Sequence, residues 1–307
     1  INKHSTMKVP VFECMLADDS KKHEKKMTGE VIVEPKLDGV RVITICDVDK
    51  DEVRMYSRNG KELSNFPKIL EQFDSMLDQM SESMVFDGEV MSDDFQTLMR
   101  EIHRKGGAKT DDAILNVFDC LPLEDFKEGE CGLSITKRKQ LLDDYTFGPN
   151  ISKVEVVKMN LSDDDGQKQF ADYNKLCIDK GFEGIMVKPI GGVYECKRSS
   201  LWLKVKPFIE VSLKVIDTEE GTGRNVGKLG ALIVEGTDMD KFIKTNVGSG
   251  LSDSDRDMFW QHKDDLIGRI VEVRADAITQ NQDTTDEYSL RFPRFLRFRG
   301  FEPGEKL

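Results

Sequence analysis

Apolar and polar positions alternate through the first part of the chain. "GEVIVEP" (29–35), "VRVITICDV" (40–48) and "EVRMYSRNG" (52–60) read as strands, the last two joined by a charged turn at 49–52. Phe66, Ile69, Leu70, Phe73, Met76, Leu77 and Met80 then recur at helical spacing. A stripe of this kind predicts a helix packed into the core, with methionine as filler rather than as part of a cofactor box. Further strands are predicted at 84–90, 114–119, 154–158 and 184–189. Between the last two, Ser162 is placed to cap a helix that Gly181 would end. Asp163, Asp164 and Asp165 in its first turn complement the helix dipole and lack the spacing of a calcium loop.

After Pro207 the pattern changes. Short strand-like runs at 211–217, 229–235, 242–247, 270–275 and 288–292 are separated by Gly- and Asp-rich turns, with one helical stretch near 252–262. This predicts a small β-barrel of the OB type, entered through a boundary near 207–211. The chain is therefore read as two domains, 1–208 and 209–307, of the α+β class.

Composition narrows the class. With 38% hydrophobic and 33% charged residues the chain suits a globular protein, and no run approaches the roughly 18 apolar residues of a membrane helix. "INKHSTMKVP" has no apolar secretion core, so a cytoplasmic location is expected (host cytoplasm if the source is viral). Position 1 is not Met, and the start is expected to be an expression remnant or a truncation. Six cysteines without a C-x-x-C pair and four dispersed histidines argue against zinc and against a disulfide framework. The net charge of −12 counts mildly against a nucleic-acid partner, although phosphate responds to local clusters of cations.

Candidate chemistry starts at "EPKLDGVR" (34–41), where Lys36 ends a predicted strand two residues before Asp38-Gly39. A lysine amine, with a reference pKa of about 10.4, attacks only where desolvation or neighbouring cations lower that value. Asp38 and Gly39 would fix the turn that aims it. The pattern alone is weak, since a salt-bridged structural lysine would look the same. It has company in order: "YSRNG" (56–60), "FDGEV" (86–90), "ILNVFDCLP" (114–122), "FEGIMVK" (182–188), "YECKRSSLWLKVKP" (194–207) and "SLRFPRFLRFRG" (289–300).

In this order the segments resemble the covalent nucleotidyltransferase superfamily of ATP-dependent DNA ligases, RNA ligases and mRNA-capping guanylyltransferases. The resemblance runs from "MLADD" (15–19) to "RGFEPGEKL" (299–307). Within it, "KRSSLWLKVK" and "RFPRFLRFR" look like DNA ligases, and the compact size and ending look like small bacteriophage ligases. Cys14 before "MLADD" departs from the frequent proline, and the tail lacks the Asp-Lys that often closes the last motif.

The resemblance implies a nucleotidyltransferase (adenylation) domain of antiparallel sheets with flanking helices, followed by an OB-fold barrel. It implies ATP as AMP donor, Mg2+, nicked duplex DNA as partner, and a monomer. Lys36 becomes the adenylated nucleophile. Glu34 and Phe118 hold the adenine, Arg41 and Arg58 contact sugar and phosphate, and Glu89 and Glu183 serve magnesium, with Glu89 also beside the nucleotide. Lys188, Arg198, Lys204 and Lys206 neutralise phosphate. Arg291, Arg294 and Arg297 orient pyrophosphate or meet DNA; a single strand would put Arg291 and Arg297 on one face, anchored by Phe292, Pro293 and Phe298. The rival readings are an RNA ligase, a capping guanylyltransferase, and a nick-binding protein without chemistry.

Overall fold

The computed structural model describes residues 12–91, 113–280 and 286–301. The chain divides into two compact units, Ile1–Val205 and Lys206–Leu307. Among the described residues no helix is long and apolar enough to cross a membrane.

The first unit is built from β1 (Leu16–Asp19), β2 (Glu30–Pro35), β3 (Val40–Asp47), β4 (Glu52–Tyr56), β5 (Glu62–Leu63), β6 (Met84–Met91), β7 (Ile114–Pro122), β8 (Glu130–Cys131), β9 (Ile151–Lys153), β10 (Val157–Asn160), β11 (Ile185–Pro189), β12 (Tyr194–Glu195) and β13 (Arg198–Val205). They form a five-stranded sheet, β1-β13-β11-β2-β10, a six-stranded sheet, β5-β4-β3-β6-β7-β9, and the small pair β12-β8. Period-2 geometry explains why β3 reads as an almost unbroken apolar run. Its Val42 and Cys46 join one core with Phe66, Ile69 and Phe73. Its Ile43 and Ile45 join a second core with Val85, Phe118, Tyr194 and Trp202. The six-stranded sheet is thus buried on both faces, and the second core carries the aromatic groups of the site described below.

The stripe from Phe66 to Met80 is core, as its spacing predicts, but it is not one helix. An α-helix over Pro67–Asp74 gives way to a 3-10 turn over Leu77–Gln79. The strand expected at 154–158 is displaced, since β9 ends at Lys153 and β10 begins at Val157. The cap of the helix Asp164–Asp179 is Asp163, whose side chain accepts from the Gly166 amide, and not Ser162. Ser162 instead accepts from the Gly29 amide. Gly181 takes up a left-handed φ of +99° just past the helix end, the conformation a helix stop requires.

The second unit holds β14 (Ile209–Glu220), β15 (Leu229–Asp238), β16 (Lys241–Val247), β17 (Ile270–Ala275), β18 (Ala277–Gln280), β19 (Tyr288–Arg291) and β20 (Arg294–Phe298) in one sheet, β18-β19-β16-β15-β14-β17-β20. A helix over Asp253–Gln261 carries a capping box between Ser252 and Asp255. An isolated bridge from Ser249, just past β16, to Arg294 of the edge strand β20 curls the five strands β16-β15-β14-β17-β20 toward closure. Register shifts at Val215/Asp217 and Glu219/Glu220 in β14 supply the bend.

Here the expected single strand over "RFPRFLRFR" is broken. Phe292 has φ +48° and Pro293 has no amide to donate, so β19 stops at Arg291 and β20 restarts at Arg294. Phe292 is 69% exposed and anchors nothing, whereas Phe298 packs against Phe259 and Phe295.

Candidate active site

Lys36 follows the last residue of β2, and its amide donates to Gly184 O at 2.8 Å, which ties it to the start of β11. Its Nζ lies 3.3 Å from Glu183 Oε2. The neighbouring Asp-Gly turn has a specific job. A Cβ at Gly39 would sit 2.3 Å from Val90 O, so only glycine lets the start of β3 lie against β6. The Gly39 amide in turn donates to Glu89 Oε2 at 3.1 Å. Burial pushes the Glu89 carboxyl up to about 7, reinforced by Asp87 and opposed by Arg41, Lys36 and the Gly39 amide.

Arg41 of β3 grips Asp87 with Nε and Nη2, both at 2.5 Å, and donates to Met15 O at 2.8 Å. Tyr194 donates its hydroxyl to the same aspartate at 2.7 Å. Burial alone would lower the Arg41 pKa, but Asp87 outweighs it and raises it well above the ordinary value. The guanidinium also lies 5.5 Å from the centres of both Phe118 and Trp202.

The base of the site is Glu34, 2% exposed. Lys188 Nζ pairs with its Oε1, and Lys139 Nζ with its Oε2 at 2.7 Å. Burial would raise the Glu34 pKa, yet the two lysines prevail and lower it. Lys188 is itself 1% exposed, with its ammonium 4.2 Å from the Trp202 ring and 4.7 Å from Phe118. Desolvation lowers its pKa against the pull of Glu34.

These groups face a cleft of about 180 Å³ lined by Glu34, Lys36, Arg41, Arg58, Glu89, Phe118, Lys188, Arg198, Trp202 and Lys204, with Leu16, Ala17, Pro35, Leu37 and Met186. The structure thus brings together nine of the expected residues from six separate segments. Arg198 is exposed and donates to Ala17 O at 2.6 Å. Glu183 and Lys206 do not line the cleft. Lys206 begins the second unit, 3.6 Å from Glu210 and over the Phe208 ring.

Nor do the arginines of the last motif share one free face. Arg294 pairs with Asp276 at 3.1 Å, Arg297 and Arg299 both pair with Glu272 at 2.7 Å, and exposed Arg291 lies on the other strand. Among the described residues no group of three or more His, Cys, Asp or Glu side chains is arranged to hold a metal. The donors present are hard carboxylate oxygens, Glu89 in the cleft and Glu183 beside Lys36. That fits magnesium, which keeps most of its waters and takes one or two carboxylates.

Several residues of the site carry no expectation above. Asp87, Tyr194 and Trp202 fall inside the quoted motifs, and the aspartate before Gly-Glu in "FDGEV" was the available signal. Lys139 lies 105 residues from Glu34 in a helix of ordinary pattern, and nothing local marks it.

An adenylation-type nucleotidyltransferase unit followed by an OB-like unit is the class this arrangement defines. Residues 14–206 match the family described as ATP dependent DNA ligase domain, and residues 220–299 match the DNA ligase OB-like domain. The chain belongs to the ATP-dependent DNA ligase family. The DNA ligase of Haloarcula marismortui is 31% identical over 296 residues, 87% of this chain and 51% of that protein, so the chain spans about half the length of the curated relatives it matches. The solved chain "Pmar-Lig_Pre." is 46% identical with a TM-score of 0.65, over 95% of this chain and 69% of that one. The ATP-dependent DNA ligase from bacteriophage T7, in complex with ATP, shares the fold at 19% identity and TM-score 0.52, over 94% of this chain and 99% of that one.

Proposed function

We propose that this chain is an ATP-dependent DNA ligase that seals nicks in duplex DNA, acting as a monomer. Lys36 carries the reading: its place is fixed through the Gly184 carbonyl, and it opens on a cleft shared with a buried carboxylate, two aromatic rings and several cations. In the first transfer the Lys36 amine attacks the α-phosphorus of ATP. A P–N bond forms, the bond to the β-phosphate oxygen breaks, pyrophosphate leaves and the amine gives up a proton. AMP then passes to the 5′-phosphate at the nick, and the 3′-hydroxyl finally displaces AMP to close the phosphodiester.

Glu34 and Phe118 serve the adenine, the first as acceptor and the second by stacking. Arg58 and Lys204 neutralise phosphate, while Arg41, committed to Asp87, shapes the wall. Glu89 and Glu183 would hold Mg2+, which supplies charge neutralisation on the crowded phosphates. Arg291, Arg294 and Arg297 are assigned to the leaving pyrophosphate and to DNA.

The test is incubation with ATP labelled at the α-phosphate, mass spectrometry of the adduct, and sealing of nicked duplexes with DNA or RNA beside the break. AMP on Lys36, its loss in Lys36→Ala and Lys36→Arg, and sealing of DNA nicks are expected, because arginine stays protonated. Label on another lysine, an adduct from GTP in place of ATP, or sealing confined to RNA would overturn the assignment.

A further inference from the structure

We propose that Lys139 is a positioning residue for nucleobase recognition, fixing Glu34 as an acceptor for a purine 6-amino group and thereby setting the preference for ATP over 6-oxo purine nucleotides. The inference rests on the reading that Glu34 faces the base, and adds the residue that makes it selective.

Glu34 and Lys188 line the cleft, but Lys139 does not. It reaches Glu34 Oε2 from the helix Ile135–Asp143, so it acts on a ligand only through that carboxylate. The helix is a firm base. Arg138, the preceding residue, is fully buried, pairs with Asp119 at 2.8 and 3.2 Å, and donates to Leu133 O and Gly192 O. Lys188 holds the other oxygen, and its ammonium lies over the Phe118 and Trp202 rings. The charged and titratable groups around the pair are Lys139, Lys188, Asp119 and Tyr173.

A carboxylate held by one ammonium at each oxygen is acceptor-only, and each oxygen keeps a second lone pair. A 6-amino group can donate to it, whereas a 6-oxo group presents a lone pair to a negative charge. The terminal torsion of glutamate is broad, so a carboxylate held at only one oxygen is free to turn. Without Lys139 the buried carboxyl also loses the larger of its two cationic partners, and the protonated form would donate to a 6-oxo group as readily as the ion accepts from an amine.

The experiment measures self-adenylation of the full chain by ATP and nucleotidylation by ITP in the wild type, Lys139→Met, Lys139→Gln and Lys139→Arg. Lys139→Met is expected to lower the ATP-to-ITP ratio of kcat/KM on the order of tenfold, through KM for ATP, because a hydrogen bond to an ionised group is lost. Lys139→Arg should restore most of the ratio. Lys139→Gln keeps a donor without the charge, fills in should the methionine variant not fold, and should fall between. Parallel losses with ATP and ITP, or an unmoved ratio in variants that still adenylate, would overturn the inference while leaving the ligase reading intact. Absence of any wild-type adduct with ATP would instead remove the functional reading and this inference with it.

Discussion

Arg138 and Arg294 are each held by an aspartate, at 2.8 and 3.1 Å. In the first unit both partners are wholly buried; in the second, Arg294 and Asp276 are 35% and 45% exposed. Coulomb attraction at one distance is several times stronger in a protein interior than in water, and so is the penalty for losing a partner. Interior pairs therefore act as scaffold: Arg138-Asp119, Arg41-Asp87 and Lys139-Glu34-Lys188 hold the cleft in one geometry. Surface pairs in the second unit are screened and exchangeable, which suits the role proposed for these arginines, trading a carboxylate for a phosphate.

The largest test of this contrast is the stability of the two pairs. Arg138→Met is expected to cost about 3–5 kcal/mol because it strands a buried Asp119, whereas Arg294→Met should cost under about 1 kcal/mol. The two tryptophans report separately, Trp202 in the first unit and Trp260 in the second. Urea unfolding followed by fluorescence, with the other tryptophan replaced by phenylalanine, reads each unit alone. Similar costs in both would break the comparison.

Glu89 sharpens it, since its carboxyl is raised from 4.5 to about 7, chiefly by burial. Between those values the folded protein holds a proton that the unfolded chain has released. Stability therefore falls as pH rises through this window, and the penalty is constant above it. Glu89→Gln should remove the penalty, with a gain that grows from pH 5 to pH 7 and levels at about 3 kcal/mol above. The same variant should lose most sealing activity in magnesium, the opposition expected where a site stores electrostatic strain. A gain independent of pH in calorimetry would show that Glu89 ionises freely.

How much of this was legible depended on whether the signal was local. Lys36, Asp38 and Gly39 stand in one short segment, and the near-continuous apolar run of β3 is a direct print of its two buried faces. Lys139 was invisible because its meaning lies in a contact made by folding, with no spacing to betray it. The split of "RFPRFLRFR" is missed by a single-strand reading that takes Pro293 as an anchor: the missing proline amide is the local sign of a break, and the left-handed Phe292 goes with the tertiary pairing of β19 with β18 and of β20 with β17. Ser162 and Asp163 are both good caps, and the choice fell to Asp163 because Ser162 is engaged by Thr28 and Gly29.

The smallest effect is expected at Glu272, where the contrast between units is closest to failing. Glu272 is 13% exposed and binds two arginines, Arg297 at 58% exposure and Arg299 at 14%. Its place opposite Arg297 in the β17-β20 register makes the pairing a consequence of the sheet. If the second unit's charges are exchangeable, Glu272 merely competes with phosphate for both guanidinium groups. Glu272→Gln then adds one unit of positive charge to the strip, and should raise affinity for nicked duplex about threefold at low salt. The gain should shrink as salt rises and the Debye length contracts. Titrations of labelled nicked duplex across a salt series decide the point. If affinity falls instead, Glu272 is aligning the arginines rather than occupying them. The strip would then be a templated site on the same principle as Glu34 and its two lysines, and the second unit would differ from the first in exposure alone.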